Sequence, residues 1–196
     1  MRLSALGIEL GSMMISDSEL TGLTEADLHY RLCIANLDGA KRLCQDMIEE
    51  KFTASFSHAK VIMSLLHHGI ELFLKYALAR RRKIPRHHYI RELLKEYDQA
   101  YSGPEFALEL PFITQFFGYT PDEMGLLIAE EQQDKNRTDQ MVRYHTDRNG
   151  KVWTVAQAFV PEAFLVEAEG LLHRFVCIRQ DIEKGDDQQA HAPNKA

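Results

Sequence analysis

Residues 58–97 read HAKVIMSLLHHGIELFLKYALARRRKIPRHHYIRELLKEY, and this stretch decides the fold. Its first half is apolar around almost the whole circumference of a helix, which predicts a central helix over 55–82 that is surrounded by other helices. Pro85 cannot continue that helix, so we expect a short turn at 83–86 and then an antiparallel helix that begins near Ile90. One narrow polar strip interrupts the apolar surface, and it consists of Lys60, Ser64, His67, Glu71 and Lys75. Within this strip we expect Glu71 to pair with Lys75, four residues further along the helix.

Two further helices are predicted near the ends of the chain. Thr24 followed three residues later by Asp27 is a variant of the capping box, which predicts the start of the first helix. The last helix is expected to begin at Pro161 and to end at Gly185, because proline favours the first helical turn and glycine favours the residue after a helix.

The region between these helices carries weaker signals. Thr120-Pro121 predicts a short helix that ends near Gln133, and Asn149-Gly150 between two β-prone arms predicts a hairpin near 141–155. The sequence therefore predicts an all-α fold, which is a four- to five-helix up-down bundle with one small β-hairpin. The expected divisions are an N-terminal arm at 1–22, a helical domain at 23–185 and a disordered C-terminal tail at 186–196.

The composition is typical of a soluble protein of one domain, with 45% hydrophobic and 27% charged residues among 196. A formal net charge of -6 argues against general adhesion to nucleic acid or to anionic membranes, so any polyanion site must be local. Glu9 interrupts the apolar segment that a signal peptide would need, and no stretch approaches the ~20 apolar residues of a membrane span. We expect a cytoplasmic protein whose cysteines are free thiols.

The strongest local feature is a cluster of basic residues at the end of the central helix. Five fixed positive charges fall within seven residues, and two histidines follow them. The cluster consists of Arg80, Arg81, Arg82, Lys83 and Arg86, with His87 and His88 behind them. Such a cluster can hold phosphate groups by Coulomb attraction and by forked guanidinium hydrogen bonds. The alternative is structural, because cations at the carboxyl end of a helix stabilise its dipole by about 0.3–1 kcal/mol each.

The cluster also supports a catalytic hypothesis. Cleavage of RNA without a metal needs a histidine that takes the proton of a ribose 2′-hydroxyl and an arginine that stabilises the charge developing on the phosphoryl group. His87 or His88 would be the base, and Arg82 would be the electrostatic partner. His67 and Glu71 lie on one helical face, but two ligands do not make a metal site, so neither a metal nor a cofactor is expected.

The stretch 58–97 resembles the HEPN superfamily, the helical domains of higher eukaryotes and prokaryotes that are named for nucleotide binding. The resembling features are Glu71 and Lys75 in the pattern E-L-F-L-K, the basic turn with its proline, and His88 before a helix with paired leucines. Arg143-Tyr144 resembles an RY segment of some members. The resemblance implies a helical bundle that often forms homodimers. Members of the superfamily are ribonucleases, partners of nucleotidyltransferases, or proteins without known catalysis, so the resemblance implies one of these three roles.

The arginine and histidine match the ribonuclease members in spacing but not in position. Those members carry an arginine four to six residues before a histidine, and Arg82 satisfies this spacing with either His87 or His88. In toxin-like ribonucleases the motif usually lies near a later helix, often as R-N-x-x-x-H, whereas here Lys83 follows the arginine. We therefore predict first a non-catalytic module for RNA, a nucleotide or a protein partner, second a metal-independent ribonuclease, and third a purely structural dimerisation module.

Overall fold

The computed structural model describes residues 21–51, 56–110 and 159–190, and these form four α-helices and one short 3-10 helix. No strand occurs among them, so the all-α class is confirmed for this part of the chain. The helix predicted from Thr120 and the hairpin predicted at 141–155 lie outside the described residues, and the number of helices in the whole bundle stays a prediction. The elements are α1 (Glu25–Ile48), α2 (Phe56–Ala79), α3 (Ile90–Ala100), the 3-10 helix Pro104–Phe106 and α4 (Pro161–Ala190).

The first helix begins as the sequence predicts. The Thr24 hydroxyl accepts a hydrogen bond from the backbone N–H of Asp27 at 3.1 Å, and the Asp27 carboxylate accepts one from the backbone N–H of Thr24 at 3.1 Å. This reciprocal capping box satisfies amides that have no partner inside the helix. One face of α1 is buried, and it consists of Ala26, Tyr30, Cys33, Leu37, Ala40, Cys44 and Met47.

Helix α2 is the centre of the described fold, because it packs against α1, α3 and α4. In its buried second half the Phe73 ring stacks on Phe175 of α4, with 3.7 Å between the ring centroids. By length and composition Ser57–Ala79 could cross a membrane, so the expectation that no stretch is apolar enough is wrong for this helix. However, 72% of its most apolar window is buried inside the protein, as expected of the core helix of a folded domain.

Two boundaries differ from the predictions. Helix α2 ends at Ala79 rather than near Arg82, because the backbone N–H groups of Arg80 and Arg81 turn back to the carbonyls of Ala77 and Leu78. Chain residues 80–89 form the connection to α3, which is longer than the turn predicted at 83–86.

The end predicted for the last helix at Gly185 is also wrong, because α4 continues to Ala190. Gly185 does not adopt the positive φ that terminates helices. The next residue, Asp186, accepts hydrogen bonds from Arg80 at 2.6 and 2.9 Å, and this tertiary contact retains the helix beyond the glycine. Residues 186–190, which the sequence predicts to be part of the tail, therefore belong to the helix.

Helix α1 packs closely against α2 at one helical glycine, whereas a second helical glycine has open space beside it. A Cβ at Gly69 would lie 3.1 Å from Leu37 and 3.3 Å from the backbone oxygen of Cys33, whereas nothing lies within 4 Å of a Cβ at Gly170. We expect Gly69→Ala to lower the free energy of unfolding by about 1–3 kcal/mol through overpacking. Gly170→Ala should raise it by about 0.5–1 kcal/mol, because alanine is the better helix former.

Urea unfolding followed by circular dichroism measures both changes. Equal stabilisation by the two substitutions would show that α1 and α2 do not approach each other as closely as described.

Candidate functional site

The basic residues lie on the segment that connects α2 to α3, and we call residues 80–89 the basic turn. It begins where the last carbonyls of α2 are satisfied, since Arg82 donates its backbone N–H to the carbonyl of Leu78 at 2.9 Å. It ends at Ile90, which is buried. Both ends of the basic turn are therefore anchored to the helical core.

Arg80 faces the last helix. Its Nε and one terminal nitrogen both donate to the same oxygen of Asp186, at 2.9 and 2.6 Å, and the two side chains are 29% and 24% exposed. The carboxylate offsets the charge of Arg80 at the carboxyl end of α2. Arg80 thus has a structural partner inside the chain, and it holds α4 against the basic turn.

Arg82 and His87 share a single carboxylate. Arg82 donates to Oε2 of Glu96 on α3, and His87 Nε2 lies 2.9 Å from Oε1 of the same side chain. The His87 ring stacks on Tyr89 with 5.6 Å between the centroids. The structure therefore brings together the first arginine–histidine pair that the spacing predicts, with an acid between them.

His88 points elsewhere, to a buried acid of α2. Its Nδ1 lies 2.7 Å from Oε1 of Glu71, and the same oxygen accepts a hydrogen bond from Lys75 at 3.0 Å. His68 Nδ1 is 3.7 Å from the other oxygen. The Glu71 side chain is 1% exposed and that of Lys75 7%, whereas the His88 side chain is 60% exposed. The pairing of Glu71 with Lys75, which the polar strip predicts, is confirmed.

The charge of Glu71 is stabilised by its neighbours. Burial alone would raise the pKa of the carboxyl group, but the nearby His68 and the hydrogen bonds from Lys75 and His88 outweigh that effect and hold the pKa well below its ordinary value. Glu71 is therefore a carboxylate across the whole neutral range. It links α2 to the basic turn through one of the few charged groups in the core.

The three remaining cations of the cluster face solvent. Arg81, Lys83 and Arg86 are exposed, and none of them forms an ion pair with a residue in the described ranges. Arg81 lies over the ring of Tyr101, with its guanidinium carbon 5.2 Å from the centroid. The predicted anion-binding residues therefore divide into two groups. Arg80 is paired inside the chain, and Arg81, Lys83 and Arg86 are open to a ligand.

The sequence does not indicate Asp186 and Glu96 as partners of the cluster. Its composition places Asp186 in the tail, and Glu96 has no periodic signal that separates it from the other acids of its helix. No group of three histidine, cysteine or acidic residues in the described part of the chain could hold a metal ion. His67, His68 and Glu71, the group weighed for a metal, lie on α2, where the Glu71 carboxylate is engaged by Lys75 and His88.

A cavity of about 500 Å³ lies beside α1, apart from the basic turn. The described residues that line it all belong to α1, and they are Asp38, Gly39, Lys41, Arg42 and Gln45. None of the residues of the basic turn is among these described lining residues. The exposed cations of the basic turn therefore form a candidate site apart from this cavity.

No protein-family model, curated protein or solved structure matches this chain. The resemblance to the HEPN superfamily stays a prediction that rests on the residues of 58–97 themselves.

The buried Glu71–Lys75 pair predicts a specific response to acid. Glu71→Gln leaves the Lys75 ammonium buried without its counter-ion, so the free energy of unfolding at pH 7 should fall by about 3–5 kcal/mol. Because folding lowers the pKa of Glu71, its contribution is complete above the ordinary value of 4.5 and is lost as the pH falls below it. As the pH falls, the difference in unfolding free energy between wild type and Glu71→Gln should then decrease by up to about 1.4 kcal/mol per pH unit.

Chemical unfolding at pH 7, 4 and 3 measures this gap, and Glu167→Gln is the matched control because that acid is exposed on α4. A gap that stays constant with pH, or one no larger than the control's, would contradict the assignment of a buried carboxylate.

Proposed function

We propose that this protein is a non-catalytic binding module that holds the phosphate groups of RNA or of a nucleotide at the basic turn. The observation that carries the proposal is the exposure of Arg81, Lys83 and Arg86, which have no ion pair among the described residues. Three cations within six residues can contact successive phosphates or one polyphosphate group. Guanidinium groups also offer forked hydrogen bonds that match phosphate oxygens.

The remaining charges of the basic turn support the same function by fixing its shape. Three helices each contribute an acid: α2 contributes Glu71, α3 contributes Glu96 and α4 contributes Asp186. A surface that is ordered before the ligand arrives loses less conformational entropy when it binds. The paired cations therefore act as a scaffold, and the open cations provide the attraction.

Charge distribution makes the proposed binding local. The whole chain has a formal net charge of -6, which repels a polyanion from most of the surface. An acidic body with one basic turn orients a nucleic acid toward that turn. A homodimer, a nucleotidyltransferase-type protein partner and a cytoplasmic location belong to this proposal only through the resemblance and the composition.

A metal-independent ribonuclease is the second candidate, and the Glu71–His88 contact favours it. A buried carboxylate that binds Nδ1 fixes the imidazole and leaves Nε2 on the exposed side of the ring for a substrate proton. His87 is a poorer base, because Nε2 contacts Glu96 and the buried Nδ1 has no hydrogen-bond partner in the described structure. If catalysis occurs, we assign the base to His88.

The proposal predicts RNA binding that weakens as salt is added. For a short single-stranded oligoribonucleotide, the triple variant Arg81→Ala/Lys83→Ala/Arg86→Ala should bind at least about tenfold more weakly than wild type at low salt. The slope of log affinity against log salt should fall by about 2, because roughly 0.7 counterions are released per single-strand phosphate contact. Fluorescence anisotropy in the presence of a chelator measures both quantities.

The control is the triple variant Arg42→Ala/Lys51→Ala/Lys184→Ala, which removes the same formal charge from exposed positions away from the basic turn, of which Lys51 and Lys184 are ion-paired. If the two triple variants lose the same affinity for RNA, the loss is explained by net charge alone, and this result would contradict a binding site at the basic turn. Cleavage of the RNA that His88→Ala abolishes and His87→Ala preserves would replace the binding module by the ribonuclease.

A further inference from the structure

Glu96 is bound as a ligand anion would be. Each of its two carboxylate oxygens takes one donor: Oε2 faces a terminal nitrogen of Arg82 and Oε1 faces Nε2 of His87. Two donors that converge on the two oxygens of one anion form the kind of arrangement that binds a carboxylate or a phosphate. Here an acid of the same chain occupies it.

His87 is oriented so that it donates to an anion. Its Nδ1 is buried and has no hydrogen-bond partner in the described structure, whereas Nε2 contacts Glu96. The neutral tautomer with the proton on Nε2 leaves only an acceptor lone pair unsatisfied at Nδ1, and the contact with a carboxylate requires a donor at Nε2. Stacking on Tyr89 holds the ring in this orientation.

We propose that Glu96 is a built-in competitor for phosphate at Arg82 and His87, so that a phosphate group enters this pair only by displacing the Glu96 carboxylate. This inference rests on the proposed function and adds its regulation. The open cations Arg81, Lys83 and Arg86 attract the ligand first, and release of Glu96 then adds two further donors.

The exchange requires little of the fold. Glu96 is carried by α3, its side chain is 28% exposed, and rotation of the side chain toward solvent removes both contacts without moving the helix. The incoming phosphate carries more negative charge and more acceptor oxygens than the carboxylate it replaces. Arg82, whose side chain is 44% exposed, and His87, at 29%, are both reachable from solvent.

The test compares the affinity of wild type and variants for the same short oligoribonucleotide. Glu96→Gln removes the competing charge, and Glu96→Asp keeps the charge but shortens the side chain so that it cannot span both donors. Each should bind the RNA about tenfold more tightly than wild type, the factor expected when a charged hydrogen-bond competitor is removed. Asp98→Asn removes one exposed charge from the same helix and should change the affinity by less than about twofold.

A second comparison assigns the gain to Arg82. In the Glu96→Gln background, Arg82→Ala should abolish the gain, whereas a gain that survives Arg82→Ala would arise from charge alone and would overturn the inference. Circular dichroism checks each variant for its helical content. If Glu96→Gln does not fold, Glu96→Asp and its combination with Arg82→Ala carry the same test.

The outcomes separate the inference from the proposed function. If wild type binds RNA in a salt-dependent way and the Glu96 and Asp98 variants have the same affinity, Glu96 does not compete with phosphate, but the proposed binding function is retained. If the Glu96 variants bind RNA and wild type does not, the result supports the inference and shows that Glu96 blocks the site almost completely. If neither wild type nor any variant binds RNA, both the proposed function and the competition by Glu96 are contradicted.

Discussion

The described structure depends most on one buried carboxylate, that of Glu71. It sits in the apolar central helix, where an unpaired charge would cost several kcal/mol, so its partners must stay in place for the fold to stay closed. Lys75 satisfies it from the next turn of the same helix, and His88 satisfies it from the basic turn. The desolvation of one acid thus fixes the path of a segment that would otherwise be an ordinary exposed connection.

That constraint determines how the basic cluster is used. Once His88 is held on Glu71, the neighbouring side chains are directed to acids of two other helices, Arg80 to Asp186 and Arg82 to Glu96. The cations that remain have no acid within the described residues and face water. The same turn therefore contributes to stability through its paired charges and provides an anion-binding surface through its open ones.

Local patterns of the sequence predict the helices well, because capping and periodicity act over a few residues. The capping box at Thr24, the buried character of α2 and the Glu71–Lys75 pair are all of this kind. Partners that are distant in sequence could not be predicted, since nothing near Arg80 indicates an acid 106 residues later. Gly185 is an exception to such local patterns. Glycine usually ends a helix, but a tertiary contact made by the next residue overrides that effect here. The open and paired cations are likewise indistinguishable before the helices are assembled.

A double-mutant cycle between Glu71 and His88 measures directly whether the buried acid holds the basic turn. It compares the unfolding free energies of wild type, Glu71→Gln, His88→Ala and the double variant. If the buried acid holds the basic turn, the two substitutions are non-additive, with a coupling of about 1 kcal/mol, in the lower part of the usual range because His88 is exposed. Additivity within about 0.3 kcal/mol would show the opposite, that the stabilisation of the Glu71 carboxylate does not depend on the basic turn.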